Sequence, residues 1–553
     1  MNTLFKFTND KKTRFLAYIS IVSIIYTSIL VYTQSIIGIS YWDIFVYLDN
    51  AMLFSHINIG SQLSVPPILS LVTSIFFQLG FISENTLFIV SGIFFVFLLI
   101  GIYILFCRRF TPEESFISTI IFSMFSLVVT WAVSGSNDLP ALSLAVWTII
   151  FALKAVDDHY IYYFIAFLSF ILTFFTRFTE GFVFLLMLFI LIIDFKSIKK
   201  QITTKRLALF ISFIALIGLV IAGIYISYMH TIPFISQFLE VSSSSQVSSV
   251  NVGYDLNPWY YIENLPQYIT CLSISNEYVT TLSTSSNIPT LLSYVIIALS
   301  AVGIVTFLKS SNIYRTHRLS KQSSMIIILS LIMIFSYLHI SYIITEILFM
   351  VILLLYYRYN KEYIDKLDIL MIFLLGIFII LHSYHPVKVD RYIVPILIPI
   401  TYYMTIAIKQ ITQKLHLDKK TPLIILCIIL IILVPINCSY ITSLQHENPH
   451  TTQEKSASQW LKNYDENYTT KNISSDRGVV FSWYLKKYTY TTIERVLKST
   501  NQTLKEKLDS INATYYIDSS SNLAEIEDYH VIFEDKNQYN TLKIYERNNN
   551  TRD

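Results

Sequence analysis

A chain of 553 residues of which 54% are hydrophobic and only 14% charged does not compose a soluble domain, where about a quarter of residues carry charge. The composition excludes a water-soluble enzyme and sets the class as a polytopic α-helical membrane protein. A net charge of +3, with no basic patch in the sequence, offers nothing to a nucleic acid.

A helix needs roughly 20 apolar residues to cross a bilayer. Thirteen runs approach that length, at about 15–37, 86–106, 114–133, 139–154, 160–176, 181–195, 207–229, 287–308, 325–340, 341–357, 369–383, 392–408 and 421–439. The first is too long for the core of a signal peptide and no small-residue cleavage site follows it, so it reads as a retained anchor. With the N-terminus cytoplasmic, the segments between runs place 23 Lys and Arg inside and three outside, the positive-inside pattern. An odd number of crossings sends the C-terminal tail to the extracytoplasmic side. The three outer cations are Arg177, Lys388 and Arg391. Cations placed against the bias call for an anionic partner.

Two outer loops are longer than a connection requires. The first, about 38–85, contains YWDIFVYLDNAMLF at 41–54 and VPPILSLVTSIFFQLG at 65–80. Both are amphipathic and are expected as helices lying along the membrane surface. The second, about 230–286, contains a Ser-rich stretch at 242–249 and GYDLNPWYYIENLP at 253–266, whose aromatics suit the interface. From about 445 the tail turns polar. Expected helices at 456–463 and 493–511, strands at 513–517, 529–534 and 540–545, and a turn at 535–538 make it a small α/β domain, 445–553, beside a membrane domain of 1–440. Sequons at Asn437, at the membrane edge, and at Asn467, Asn472, Asn501, Asn512 and Asn549 lend weak support to an outside tail. Of the four cysteines, Cys271 and Cys438 fall outside, which leaves one disulfide open, and no zinc-ligand spacing occurs.

Charged residues gather near the outer ends of the runs. Asp43 and Asp49 lie in the first loop, Asp138 in the 134–139 turn, and Arg177 with Glu180 in FFTRFTEGF. The segment HSYHPVKVDRYIVP at 382–395 adds His382, His385, Lys388, Asp390, Arg391 and Tyr392. Ionisable groups at membrane depth cost ~2.5 kcal/mol or more unless paired or hydrated, and one shared aqueous cavity lowers that cost for all of them. Each residue also has an ordinary reading. Asp43 and Asp138 would cap helices, and Arg177 would pair with Glu180 three residues on. His382 and His385 lack acidic partners for a metal and read as interfacial. Glu346 would hydrogen-bond within the bundle, and Trp259-Tyr260-Tyr261 would join a membrane belt as readily as a sugar platform.

In order along the chain stand Trp42-Asp43, Tyr47 to Ala51, Pro66-Pro67, Asp138-Leu139-Pro140, Thr176-Arg177-Phe178-Thr179 and Asp390-Arg391-Tyr392-Ile393-Val394-Pro395. This series, over roughly 1–440, resembles the GT-C-fold glycosyltransferases that use polyprenyl-phosphate sugars, the group of the protein O-mannosyltransferases and lipid A aminoarabinose transferases. The W-W-D-Y-G signature of the oligosaccharyltransferase branch is missing from the tail, where Ser482-Trp483-Tyr484 is a superficial echo. The resemblance implies transfer of a sugar from a polyprenyl (dolichyl) phosphate donor to a protein, lipid or glycan acceptor on the extracytoplasmic face, with inversion. It implies Asp43 as base, with Asp138 orienting Asp43, the sugar or a divalent metal ion, the sole cofactor in question. Arg391, Arg177 and Lys388 would hold the donor phosphate. Asp49, Glu180, Tyr392, Tyr260 and His385 would line the substrate, and the tail would cover the cavity or admit the acceptor.

Two other classes compete. A transporter or flippase for a lipid-linked or anionic solute would show matching halves and helices broken at mid-depth, whereas no internal repeat is visible and Gly totals 13. A surface-polysaccharide polymerase or ligase would also use outer arginines, but would not need the Asp43 and Asp138 pair.

Overall fold

The computed structural model describes residues 10–57, 65–201, 203–227, 254–273, 282, 286–309, 321–340, 342–493, 497, 502–519, 525–537 and 540–548. The Ser-rich stretch 242–249, the sequons at Asn501 and Asn549 and part of the helix expected at 493–511 lie outside the described residues. In chain order the helices are α1 (Lys11–Ile37), α2 (Trp42–Phe54), α3 (Ile68–Gln78), α4 (Glu84–Phe106), α5 (Pro112–Ser123), α6 (Ser126–Trp131), α7 (Asp138–Asp157), α8 (Ile161–Thr176), α9 (Val183–Ile193), α10 (Thr204–Ser227), α11 (Leu291–Lys309), α12 (Lys321–His339), α13 (Tyr342–Asn360), α14 (Lys366–Tyr384), α15 (Leu397–Lys414) and α16 (Thr421–Ser443).

Each of the thirteen apolar runs falls mainly on helix over its described residues, the run at 287–308 opening on the short strand Asn287–Pro289. Among the described residues, eight helices are long and apolar enough to cross a membrane: α1, α4, α7, α11, α13, α14, α16 and the segment Asp390–Lys414 that ends in α15. The run at 114–133 is broken where Phe125 turns extended between α5 and α6. That break frees backbone carbonyls, and the one on Met124 accepts from Asn437 Nδ2 at 3.0 Å while Asn437 Oδ1 accepts from Tyr26 Oη at 2.9 Å. The expected sequon at Asn437 is therefore a buried bridge inside the bundle. Cys271 is buried and Cys438 exposed, and both are free thiols.

The chain forms two compact units. The first, Met1–Leu30 with Ser91–Ser443, is the helical bundle, in which α7 packs on α8, α11 on α15, α12 on α13, α13 on α14 and α5 on α16. Polar residues join its helices. Ser118 and Thr405 hydroxyls meet at 2.8 Å, Ser300 donates to the Ile400 carbonyl at 3.0 Å, and Arg109 Nε meets Asp368 Oδ1 at 3.0 Å. Gly303 of α11 lies directly against the Tyr403 carbonyl of α15, where any side chain would collide with backbone.

The second unit joins Val31–Val90 to Leu444–Asp553, so the loop at 38–85 clusters with the tail, whereas the expected boundary puts it in the membrane domain 1–440. The two helices expected in that loop form, as α2 and α3. The tail adds α17 (Pro449–Tyr464), α18 (Gly478–Leu485) and α19 (Leu504–Ser510). Its strands Ile473–Ser475, Tyr490–Thr491, Tyr515–Asp518, Tyr529–Lys536 and Thr541–Arg547 make a sheet in which the third pairs parallel with the first and antiparallel with the fifth. The last three strands match the expected ones to within a few residues, and Asn537 closes the hairpin turn by a 2.9 Å bond to the Asn540 carbonyl. The first two strands and α18 were not foreseen. Ala457, Leu461, Phe481 and Leu485 cover the sheet's Ile473, Ile517, Leu542 and Ile544. Aromatic contacts bind the loop to the tail: Phe45 on Tyr484 at 5.5 Å, Phe77 on Trp483 at 6.0 Å, and the Arg477 guanidinium over Trp42 at 5.0 Å.

Candidate active site

Within the bundle, three separate turns bring Asp138, Arg177 and Arg391 together. Gly135, at φ +87°, allows the tight turn that leads into α7, and Asp138 is the first residue of that helix. Asn137 Nδ2 donates 2.8 Å to the Thr176 carbonyl, tying this turn to the end of α8. Immediately after α8, Arg177 is extended, and its Nη1 pairs with Asp138 Oδ1 while its Nε donates 2.7 Å to Thr179 Oγ1. The 3₁₀ turn Asp390–Ile396 carries Arg391, whose Nε lies 3.5 Å from Asp138 Oδ2. Asp138 thus bridges both guanidinium groups, and all three residues are at most 7% exposed. It serves as a bridge where capping was the ordinary expectation, and Arg177 pairs with Asp138 rather than with Glu180.

Aromatic faces support the cations. Arg177 stands 4.5 Å over Tyr392 and Arg391 5.2 Å over Trp131, geometry in which a ring quadrupole attracts a guanidinium. His382 packs its ring 5.2 Å from Tyr392. Glu180 is fully buried and acts on Arg177 electrostatically. Beside this turn an apolar cleft of about 160 Å³ is lined by Tyr261, Ile297, Ala301, Leu375, Ile396 and Ile400, among others.

The described residues of the second long loop, 254–273 and 282, are pinned to the same region by Asp390. Its carboxylate accepts from Tyr268 Oη at 2.8 Å, Tyr260 Oη at 3.3 Å and the Leu282 N–H at 2.7 Å. Tyr261 Oη accepts from the Val389 N–H at 3.1 Å and donates to its carbonyl at 3.2 Å. Tyr260, expected against substrate, therefore orders the loop. Tyr268 and Trp131 escaped the sequence reading, since nothing local distinguishes them from other bundle aromatics.

Lys388 was expected on the donor phosphate. Its ammonium instead donates to the carbonyls of His382, Ser383 and His385 at 3.0, 2.6 and 2.6 Å, which occupies all three of its N–H donors and closes the end of α14. Burial pulls its pKa down to about 8, with Asp255 opposing. His385 Nδ1 sits 3.1 Å from the Val387 carbonyl, and burial lowers the ring's pKa. We therefore expect Lys388→Met to lower unfolding stability by about 2–3 kcal/mol, the range for hydrogen bonds to a charged group, while donor KM stays within twofold. A thermal melt beside a donor titration checks this, and a large KM effect with an unchanged melt would restore the phosphate role.

In the second unit, Asp43 is half-buried in the first turn of α2, after Tyr41 as the N-cap. Asp43 is therefore not itself the cap. Asp49 is fully buried, neither carboxylate oxygen has a hydrogen-bond partner among the described residues, and burial raises its pKa well above the ordinary value, with Lys486 opposing. Among the described residues no three His, Cys, Asp or Glu side chains converge to hold a metal ion. Glu346, expected to hydrogen-bond within the bundle, is buried in α13 with neither oxygen hydrogen-bonded to a described residue.

Residues 64–223 match the family model described as dolichyl-phosphate-mannose-protein mannosyltransferase. No curated protein matches the chain in sequence. In fold the chain is similar to the crystal structure of ArnT from Cupriavidus metallidurans bound to undecaprenyl phosphate, with a TM-score of 0.51, 10% identity, and coverage of 96% of this chain and 98% of that one. This is the GT-C fold that the motif order resembles.

Proposed function

We propose that this multi-pass membrane protein of GT-C fold is a glycosyltransferase, moving a sugar from a polyprenyl-phosphate donor to an acceptor on the extracytoplasmic face. The observation that carries the reading is the buried Asp138 bridge between Arg177 and Arg391, Arg391 lying on the turn whose last residue, Ile396, lines an apolar cleft. A guanidinium has five N–H donors in a fixed fork, more than one carboxylate edge takes up, and the fork matches phosphate oxygens. An isoprenoid tail suits the cleft while its phosphate meets the arginines. In the reaction an acceptor oxygen forms a bond to the anomeric carbon as the bond from that carbon to the phosphate oxygen breaks, which inverts the centre. Asp43 takes the acceptor's proton. Arg391 and Arg177 stabilise charge on the departing phosphate.

Asp138 holds the two arginines in place, a role that replaces the expected one of orienting Asp43, sugar or metal. Glu180 and Tyr392 flank the arginines on the substrate side, whereas Tyr260, Lys388 and His385 maintain the loop and helix end that carry them. The similarity of residues 64–223 to mannosyltransferases that use dolichyl-phosphate mannose supports a lipid-phosphate sugar as donor, and the undecaprenyl phosphate in the similar structure supports the lipid. The test is transfer of labelled sugar from a panel of polyprenyl-phosphate sugars by the protein in lipid. Wild type should transfer or slowly hydrolyse donor, and Asp43→Asn and Arg391→Ala should each fall by roughly 10²–10³, the loss typical of one transition-state contact. Donor binding without cleavage by wild type would point to transport, and full activity in Asp43→Asn would remove the base assignment.

A further inference from the structure

The second unit holds a polar cavity of about 390 Å³ that the catalytic reading leaves unused. One wall is α17, where Lys455, Ser458, Gln459 and Lys462 line the cavity; their spacing of three, four and seven places them on a single helical face. A second wall is Ser83, Glu84 and Asn85, at the start of α4. The third is the end of α18, where Lys486, held at φ +53°, sets its ammonium 2.9 Å above the Trp483 ring. Trp483 Nε1 in turn donates 3.2 Å to Glu84 Oε1, and Lys462 Nζ donates 2.8 Å to the Tyr484 carbonyl. Lys486 is open to the cavity yet ringed by protein, and that enclosure lowers its pKa to about 7, with Asp49 and Glu84 opposing.

Three lysines thus face one lining carboxylate, an anion bound there would draw Lys486 into its charged form, and the positive end of the α4 dipole adds to them. The surplus is cationic, and it suits a compact anion: lysines are point charges on flexible stems, without the planar fork of arginine. Trp483 is already engaged by Lys486 and by Phe77, so its ring serves the lysine wall. Location identifies the anion's carrier. The cavity opens where the long apolar helix α4 begins, and Tyr32, Ile75, Leu79 and Phe81 near it are exposed, apolar surface of the kind that meets acyl chains.

We infer that this lysine-walled cavity binds the phosphate headgroup of an anionic membrane amphiphile whose chains lie along the exposed apolar residues beside it. The site differs from the arginine cluster, and its experiment reads binding rather than transfer, so the two assignments stand or fall separately. The full-length protein in detergent is titrated with dioctanoyl phosphatidylglycerol, dioctanoyl phosphatidylcholine or inorganic phosphate while its melting temperature is followed. Phosphatidylglycerol should raise the melting temperature saturably, at concentrations where the other two have little effect. At about 1 kcal/mol per basic side chain near an anionic surface, Lys455→Gln should weaken the response about fivefold and Lys455→Gln with Lys486→Asn about 25-fold, asparagine tolerating the left-handed backbone. Lys455→Arg and Arg391→Ala should leave the response intact. Lys455 is exposed on α17, so its single variant tests the site even if the double variant folds poorly. Equal responses from wild type and Lys455→Gln, or loss of response in Arg391→Ala, would overturn the site. A response to inorganic phosphate as strong as to phosphatidylglycerol would overturn the membrane carrier.

Discussion

Asp138→Asn should be among the most damaging single substitutions in the bundle, costing about 3–5 kcal/mol of unfolding stability, the usual result of breaking a buried ion pair from one side. The carboxylate answers two guanidinium groups at once, and asparagine retains its shape but not its charge. Transfer should fall with it, by two orders of magnitude or more, because Arg177 and Arg391 then repel each other without a bridge. The charge argument makes a sharper claim than lost packing would. Inorganic phosphate or free polyprenyl phosphate replaces the missing negative charge and should recover part of the lost melting temperature in Asp138→Asn, with a smaller effect on wild type. Thermal melts with and without phosphate decide the matter. A variant as stable as wild type, or one that phosphate does not help, would show that the carboxylate is not what holds the arginines.

Gly303→Val should prevent accumulation of folded protein. A Cβ at this position falls on the Tyr403 backbone carbonyl, and backbone in a helix cannot rotate aside as a side-chain tip can. Membrane helices approach closely through such small residues. Ordinary overpacking costs 1–3 kcal/mol, and a collision with buried main chain should exceed that. Because α15 continues directly from the Asp390–Ile396 turn, any shift that relieves the clash also displaces Arg391, so the residual folded fraction should be inactive. Gly218 and Gly223 of α10 are the controls, since a Cβ there meets nothing within 4 Å. Gly218→Ala should be neutral or gain up to about 1 kcal/mol from helix propensity. Size-exclusion profiles of the two variants in detergent give the comparison, and a monodisperse, active Gly303→Val would refute the close approach.

The apolar runs, the two surface helices and the late strands were legible because they are local signals: length of hydrophobic run, amphipathic period, and alternation bounded by turn residues. The break at Phe125 was not, because the partner that makes it tolerable is Asn437, more than 300 residues away. The same holds in the candidate site. Charge sidedness singled out Arg177 and Arg391 as cations in need of an anion, yet the carboxylate that pairs with both, Asp138, is linked to them by no spacing in the sequence. Lys388 passed the same sidedness test and proved to close a helix end, since the carbonyls it satisfies carry no mark in the amino-acid string. The union of the first loop with the tail rests on aromatic contacts such as Phe45 with Tyr484, a tertiary pairing that two amphipathic patterns read separately do not reveal.

The turn at 390–396 has a geometric consequence. A 3₁₀ helix advances about 120° per residue, so three consecutive side chains point in three directions around the axis. Asp390 takes the loop tyrosines, Arg391 takes Asp138, and the Tyr392 ring lies beneath Arg177. One turn therefore acts as a three-way spindle, and its contacts share a single rotational phase. A substitution there removes one spoke, whereas inserting or deleting one residue turns every spoke to the wrong wall together, which makes chain length in this segment a stricter requirement than the identity of any one residue in it.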